Sequence, residues 1–259
     1  MRVEETLPTV GILGVPVACV DAGEALVEIE RLVARERPAS VAFANAHTLN
    51  LAHGDRRYAA VLGRVDLVLR DGSGVGIAGR MQGRRFPANL NGTDFTPLVI
   101  DLAARRGWSV FLLGGRPGVA AEAGRRMVAT NPDLAIAGVH DGAFPVWMER
   151  AVAARVRDTG ADILLIAMGN PLQELFMARH LEETGVRLGI GVGALLDFEV
   201  GAVPRAPHWV SRAGVEWVYR LGVEPGRLWR RYLLGNPLFL ARAARAALAT
   251  RRSLPIPDS

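Results

Sequence analysis

The 259-residue sequence predicts an α/β fold: a mostly parallel sheet with helices on both faces, plus a helical C-terminal appendage. Three observations carry this. Short apolar runs alternate with helix-period stretches from residue 22 to residue 192. Polar and glycine-rich residues recur directly after the apolar runs, where a parallel sheet has its ligand-binding edge. From residue 205 the strand-like runs stop and arginine and tryptophan accumulate.

The elements follow in chain order. "VGILGVPVACV" reads as a small extra hairpin. Strands are predicted at 41–44 (VAFA), 65–70 (VDLVLR), 108–113 (WSVFLL), 134–140 (LAIAGVH), 162–168 (DILLIAM) and 186–192 (VRLGIGV). Helices are predicted at 22–36, 46–62, 95–106, 118–130, 147–158 and 172–184. Thr93-Asp94 is the predicted cap of the third of these. Residues 1–204 form the predicted core and 205–259 the appendage, whose last helix opens at Asn236-Pro237. Removing residues from Arg205 onward is expected to leave a folded but inactive core.

Half the residues are apolar and 22% are charged, an ordinary globular balance. The single cysteine, Cys19, excludes an internal disulfide, and its apolar setting predicts a buried, inert thiol. The N-terminus has no apolar targeting segment, and the apolar runs fall short of the ~18 residues that span a bilayer. A cytoplasmic protein at the inner face of the plasma membrane is expected. Every one of the 31 basic residues is arginine. Residues 1–204 hold 21 of them against 23 acids, whereas 205–259 hold 10 against Glu216, Glu224 and Asp258. That asymmetry calls for an anionic partner at the tail.

Gly74-Val-Gly76-Ile-Ala-Gly79 matches the dinucleotide pattern, with Asp94 at the distance of its ribose-binding acid. An NAD(P)-binding oxidoreductase is therefore an alternative. It lacks a second strand, because "RMQGRRFPANLNGT" reads as a basic loop, and glycines for close packing are the better reading. "FLLGGRPGVAAEAG", with Gly114 and Gly115, is a strand–turn–helix whose helix start suits phosphate. Asp71, at a strand end, is a candidate general base. Asn45 and Gln173 are amides at strand ends, able to read a sugar, a uracil edge or a phosphate. His47 and Thr48 follow Asn45 at a helix start. The five histidines show no metal-ligand spacing. In the tail, Arg220, Arg227, Arg230 and Arg231 fall at helical spacings among Trp209, Trp217, Tyr219, Trp229 and Tyr232. That mixture fits phosphate forks and a membrane interface.

The ordered set "NAHTLNLA", "DGSGVG", "GTDF", "FLLGGRPGVA", "DGAF", "GNPLQE", "GVGALLDFEVG" and "GVEWVYRL" resembles the WecG/TagA/CpsF glycosyltransferases over residues 10–232. The resemblance implies a Rossmann-like core and an inverting transferase that needs no metal and no cofactor. The donor would be a UDP-sugar, commonly UDP-N-acetylmannosamine. The acceptor would be a polyprenyl-diphosphate-linked saccharide, for teichoic acid or exopolysaccharide. It implies Asp71 as the base that deprotonates the acceptor. It implies Asn45 and Gln173 at the sugar nucleotide, and Arg220, Arg227 and Arg230 on the diphosphate; His47, Thr48, Asn91, Asp94, Gly114 and Gly115 are further candidate substrate-binding residues. The tail would dock on the cytoplasmic face of the membrane and close the site. Self-association of the core is a further expectation, and nucleic acid is not an expected partner. Phe43 and Asn89 stand where some members have Thr and Arg, which admits a UDP-glucose-type hexosyltransferase.

Overall fold

The computed structural model describes residues 7–202 and 216–252. Strands β1 (Thr9–Ile12) and β2 (Val15–Ala18) form the expected antiparallel hairpin. Its turn places both Leu13 (φ 50°) and Gly14 (φ 88°) in the left-handed region, as a two-residue hairpin of this kind requires.

Six strands form the main sheet: β3 (Ala39–Ala44), β4 (Leu67–Arg70), β5 (Ser109–Gly114), β6 (Ala135–His140), β7 (Ile163–Ala167) and β8 (Leu188–Gly191). Their order is β4-β3-β8-β7-β5-β6, and every neighbouring pair is parallel. The central strands are buried along their length, which is why they read as unbroken apolar runs. All six lie within two residues of the expected positions.

Helices α1 (Ala22–Val33), α2 (Ala46–Gly54), α3 (Arg56–Leu62), α4 (Ser73–Met81), α5 (Gly92–Arg106), α6 (Val119–Thr130), α7 (Glu149–Asp158), α8 (Leu172–Thr184) and α9 (Leu195–Glu199) cover the sheet. The single helix expected at 46–62 is two. Asp55 takes an extended conformation, and its carboxylate accepts from the backbone N–H of Arg57 and Tyr58, starting α3. Helix α5 begins earlier than expected, because its cap is Asn91 and not Thr93-Asp94. Cys19 is half-buried, not buried, and its thiol donates to the Arg85 carbonyl at 3.3 Å.

The glycine pattern lies inside α4, not in a turn ahead of it, and Asp94 is in the first turn of α5 with no strand between. The dinucleotide fingerprint is therefore absent in structure, and two of the three glycines, Gly76 and Gly79, have a packing reason. Gly74 lies against Ala46 and Phe239, Gly76 under the Arg70 guanidinium, and Gly79 under Phe86.

The C-terminal chain forms α10 (Glu216–Val223), α11 (Pro225–Trp229), a π-helical turn at Arg230–Leu234, and α12 (Gly235–Arg252). Helix α12 lies across α2 and α4. Phe239, Ala243 and Ala247 are buried, and the first two join the cluster of Leu49, Val75 and Ala78. Asn50 donates to the Gly235 carbonyl at 2.7 Å and accepts from Arg242 at 2.9 Å, which fixes the start of α12.

Candidate active site

The carboxyl edge of the sheet presents, in spatial order, Asp71, Asn45, Gly193, Gly169, Gly114 and Asp141. At one end Asp71 follows β4 directly, and its backbone N–H is tied to the Ala44 carbonyl at 2.9 Å. Asn45 follows β3 and caps α2. Its side-chain oxygen accepts from the His47 and Thr48 N–H groups and the Thr48 hydroxyl, at 3.0–3.2 Å. With that oxygen committed, its amide group points the other way and donates to Asp71 Oδ2 at 3.0 Å. The cap thus orients the carboxylate, and Asn45 and Asp71 meet as one unit.

Gln173 has a different place. It is buried, and its side-chain oxygen accepts from the Gly169 and Gly193 N–H groups at 3.2 and 3.1 Å. It ties the loops after β7 and β8 together beneath the crevice. Its amide donates to Glu174 at 2.8 Å. Glu174 is fully buried and also accepts from Asn170 at 2.6 Å and the Tyr58 hydroxyl at 3.0 Å. Burial raises its pKa, against the opposing pull of those hydrogen bonds. Tyr58 is raised too, by burial first and then by the Glu174 charge. Neither residue was singled out from sequence, because Tyr58 lies 116 positions from its partner. Tyr58→Phe removes one of three donors from a buried carboxylate and is expected to lose about 1–3 kcal/mol. Urea unfolding measures this, and an unchanged midpoint would mean the bond carries no stability.

Asn91 and Asp94 are committed to each other. Asn91 accepts from the Asp94 N–H at 2.9 Å and donates to its carboxylate at 2.8 Å, closing the start of α5. Gly114 and Gly115 are required by packing. A Cβ at Gly114 would overlap the Ala167 carbonyl of β7, and one at Gly115 would strike Val119. Beyond them a cavity of about 220 Å³ is lined by Gly118, Val139, His140, Asp141 and Arg155 among others. Phe43 is buried edge-on to Phe95 and against Gly92, and Asn89 accepts from the Gly72 N–H at 2.7 Å.

From the tail, Arg220 lies over the Phe198 ring of α9 at 5.2 Å. Its buried Nε has no hydrogen-bond partner among the described residues. Arg230 is exposed and lies over Trp229. The Arg227 side chain, Arg205 and Trp209 lie outside the described residues. Arg231, not carried into the expected site, is the arginine whose charge reaches His47. His47 is pulled down to about 4, by burial first and by Arg231 second, so it is neutral at pH 7.

The consequence for stability has a definite sign. The unfolded histidine protonates near 6.5 and the folded one near 4. Between those values the unfolded chain takes up a proton that the fold refuses, so stability falls with pH through that window and levels off below it. Glu174, with a raised pKa, acts in the opposite sense. His47→Gln is expected to remove the His47 part, seen by comparing urea midpoints at neutral pH and at about pH 5. Equal declines in both proteins would assign the loss elsewhere.

Among the described residues, no cluster of three or more His, Cys, Asp or Glu is placed to hold a metal ion. None of the described helices is long and apolar enough to cross a membrane.

The family model described as glycosyl transferase WecG/TagA/CpsF matches residues 10–253. A curated relative from Bacillus spizizenii, an N-acetylglucosaminyldiphosphoundecaprenol N-acetyl-beta-D-mannosaminyltransferase, is 34% identical over 177 residues. The match covers 68% of this chain and 68% of the relative.

Proposed function

Because the chain belongs to the WecG/TagA/CpsF glycosyltransferase family, we propose that it moves a hexose or N-acetylhexosamine from a UDP-sugar to a polyprenyl-diphosphate-linked saccharide. Asp71 is the general base in this reading. The acceptor hydroxyl loses its proton to Asp71 as its oxygen bonds to the anomeric carbon. The bond from that carbon to the UDP oxygen breaks, and the electron pair leaves with UDP. The observation that carries the reading is the Asn45–Asp71 pair, a carboxylate held by one amide at the carboxyl edge.

The start of α6, after the glycine turn that follows β5, supports the nucleotide's phosphates through its positive dipole end. The unpartnered Nε of Arg220 supports a role on the diphosphate, offsetting charge as UDP departs. His47, lowered to about 4, has lost the greater basicity that a free imidazole holds over a carboxylate. The tail is the membrane-facing part. It exposes Val218, Trp229, Leu233, Leu234 and Leu238 next to the exposed Arg230, an apolar and basic mixture suited to an anionic bilayer surface. Core and appendage then have separate tasks: the base and the donor site in residues 1–204, the diphosphate contact, docking and closure in 205–259.

The relative transfers N-acetylmannosamine to a diphosphoundecaprenol-linked N-acetylglucosamine, so this donor and acceptor head the candidates. A panel of UDP-sugars, UDP-glucose included, offered with an N-acetylglucosaminyl-diphospholipid tests the reading. Release of UDP with N-acetylmannosamine in excess of every other sugar is expected. Release with glucose alone would move the assignment to a hexosyltransferase, and release with no sugar would remove the reading.

A further inference from the structure

A second cationic site lies outside the crevice, at the β4 end of the sheet. Arg70 ends β4, the edge strand. Its guanidinium crosses Gly76 of α4 so closely that a Cβ there would sit 2.5 Å from Nη2. Arg70 is held by neutral groups: Nη1 donates to the Ala88 carbonyl at 3.0 Å, and the Phe86 ring centroid lies 5.7 Å away. Arg80, one turn beyond Gly76, and Arg85 complete the lining of a cavity of about 180 Å³ with Arg70, Gly76 and Phe86. Asp71 and Asn45 do not line it.

The charges in this place are not balanced. The sequence holds no acid between Asp71 and Asp94 but three arginines, Arg80, Arg84 and Arg85. These three side chains make no ion pair or hydrogen bond among the described residues. Several other arginines of the core are paired: Arg35 and Arg37 with Asp66, Arg106 with Glu30, Arg126 with Glu122, and Arg179 with Glu149. Burial and the like charge of Arg80 both disfavour the cationic form of Arg70, and only Asp71 favours it. A half-buried guanidinium that shares a cavity with two exposed ones is an arrangement that an anion stabilises. Forked N–H donors select an oxyanion with several oxygens.

We propose that the Arg70–Arg80–Arg85 cavity binds a phosphoryl oxyanion. This does not depend on the glycosyl-transfer reading. The phosphate could be supplied by an anionic lipid headgroup or by a diphosphate. A headgroup has a physical basis here, since α4 packs on α12, which exposes Leu238 and Leu248.

The test uses the full chain with Arg80→Gln and Arg85→Gln combined, both exposed positions. The control combines Arg64→Gln and Arg105→Gln, exposed arginines near the opposite, amino edge of the sheet that remove the same charge. Pyrophosphate binding is measured by calorimetry. Flotation is measured with vesicles of phosphatidylcholine containing phosphatidylglycerol. The cavity variant is expected to lose about tenfold or more in at least one measurement, the scale of a lost charge-assisted hydrogen bond, while the control keeps wild-type affinity. Loss in flotation identifies a headgroup, and loss in calorimetry alone identifies a diphosphate; both support the site. Equal behaviour of the two variants in both measurements overturns it.

Discussion

Asp71→Asn lowers turnover by about 10²–10⁴-fold while leaving UDP binding within about twofold of wild type. The size follows from what the substitution leaves in place. The backbone of residue 71 stays tied to the Ala44 carbonyl, and an amide of the same shape still offers an oxygen to Asn45 Nδ2. Only proton acceptance is removed. Asn45→Ala is the useful companion. It strips the cap of α2, worth about 1 kcal/mol, and leaves the carboxylate present but no longer oriented. Its turnover loss should be the smaller of the two and its stability loss the larger. Single-turnover rates, UDP calorimetry and urea midpoints on both variants separate these effects. Wild-type turnover by Asp71→Asn would place the base on another residue.

The strands and the carboxyl-edge residues are legible in the sequence for one reason. A parallel strand buried on both faces must be apolar without interruption, so the first polar residue after it marks the ligand edge. Asp71 and Asn45 were found this way. Helix α4 was read only as a helix packed close after a strand and given no bounds, since three glycines in nine residues weaken helix propensity. Two of them, Gly76 and Gly79, are tolerated because the Arg70 and Phe86 side chains occupy the space a Cβ would need. Gln173 looked like a ligand-reading amide. Its true partners are backbone N–H groups 4 and 20 positions away, and no local pattern encodes them. Arg231 fell among the helically spaced arginines of the tail, but the family resemblance carried only Arg220, Arg227 and Arg230 to the diphosphate; the charge that acts on His47 is that of Arg231, in the π-helical turn at Arg230–Leu234.

Phe239→Ala is expected to lose about 3–5 kcal/mol of stability, the usual loss for a fully buried phenylalanine. The residue lies within the stretch that the sequence motifs did not reach. Its ring seals the cluster formed by α2 and α4, with Leu49, Val75 and Ala78 around it. Gly74→Ala provides the contrast. A Cβ there would meet Ala46 and the Phe239 ring at 3.6 Å, ordinary contact, so this variant should keep or slightly gain stability. A dinucleotide-binding glycine would have to stay bare for the pyrophosphate; this one needs only a neighbour of the right size. The same packing changes what truncation should do. Removing every residue from Arg205 onward was expected to leave a folded core. Yet that cut also takes away Phe239 and Ala243, and it exposes the surface of α2 just beyond Asn45. The truncated core should therefore unfold at lower urea than the full chain, by at least the Phe239→Ala decrement. Equal midpoints would restore the core as an independent folding unit and reduce α12 to a docking element.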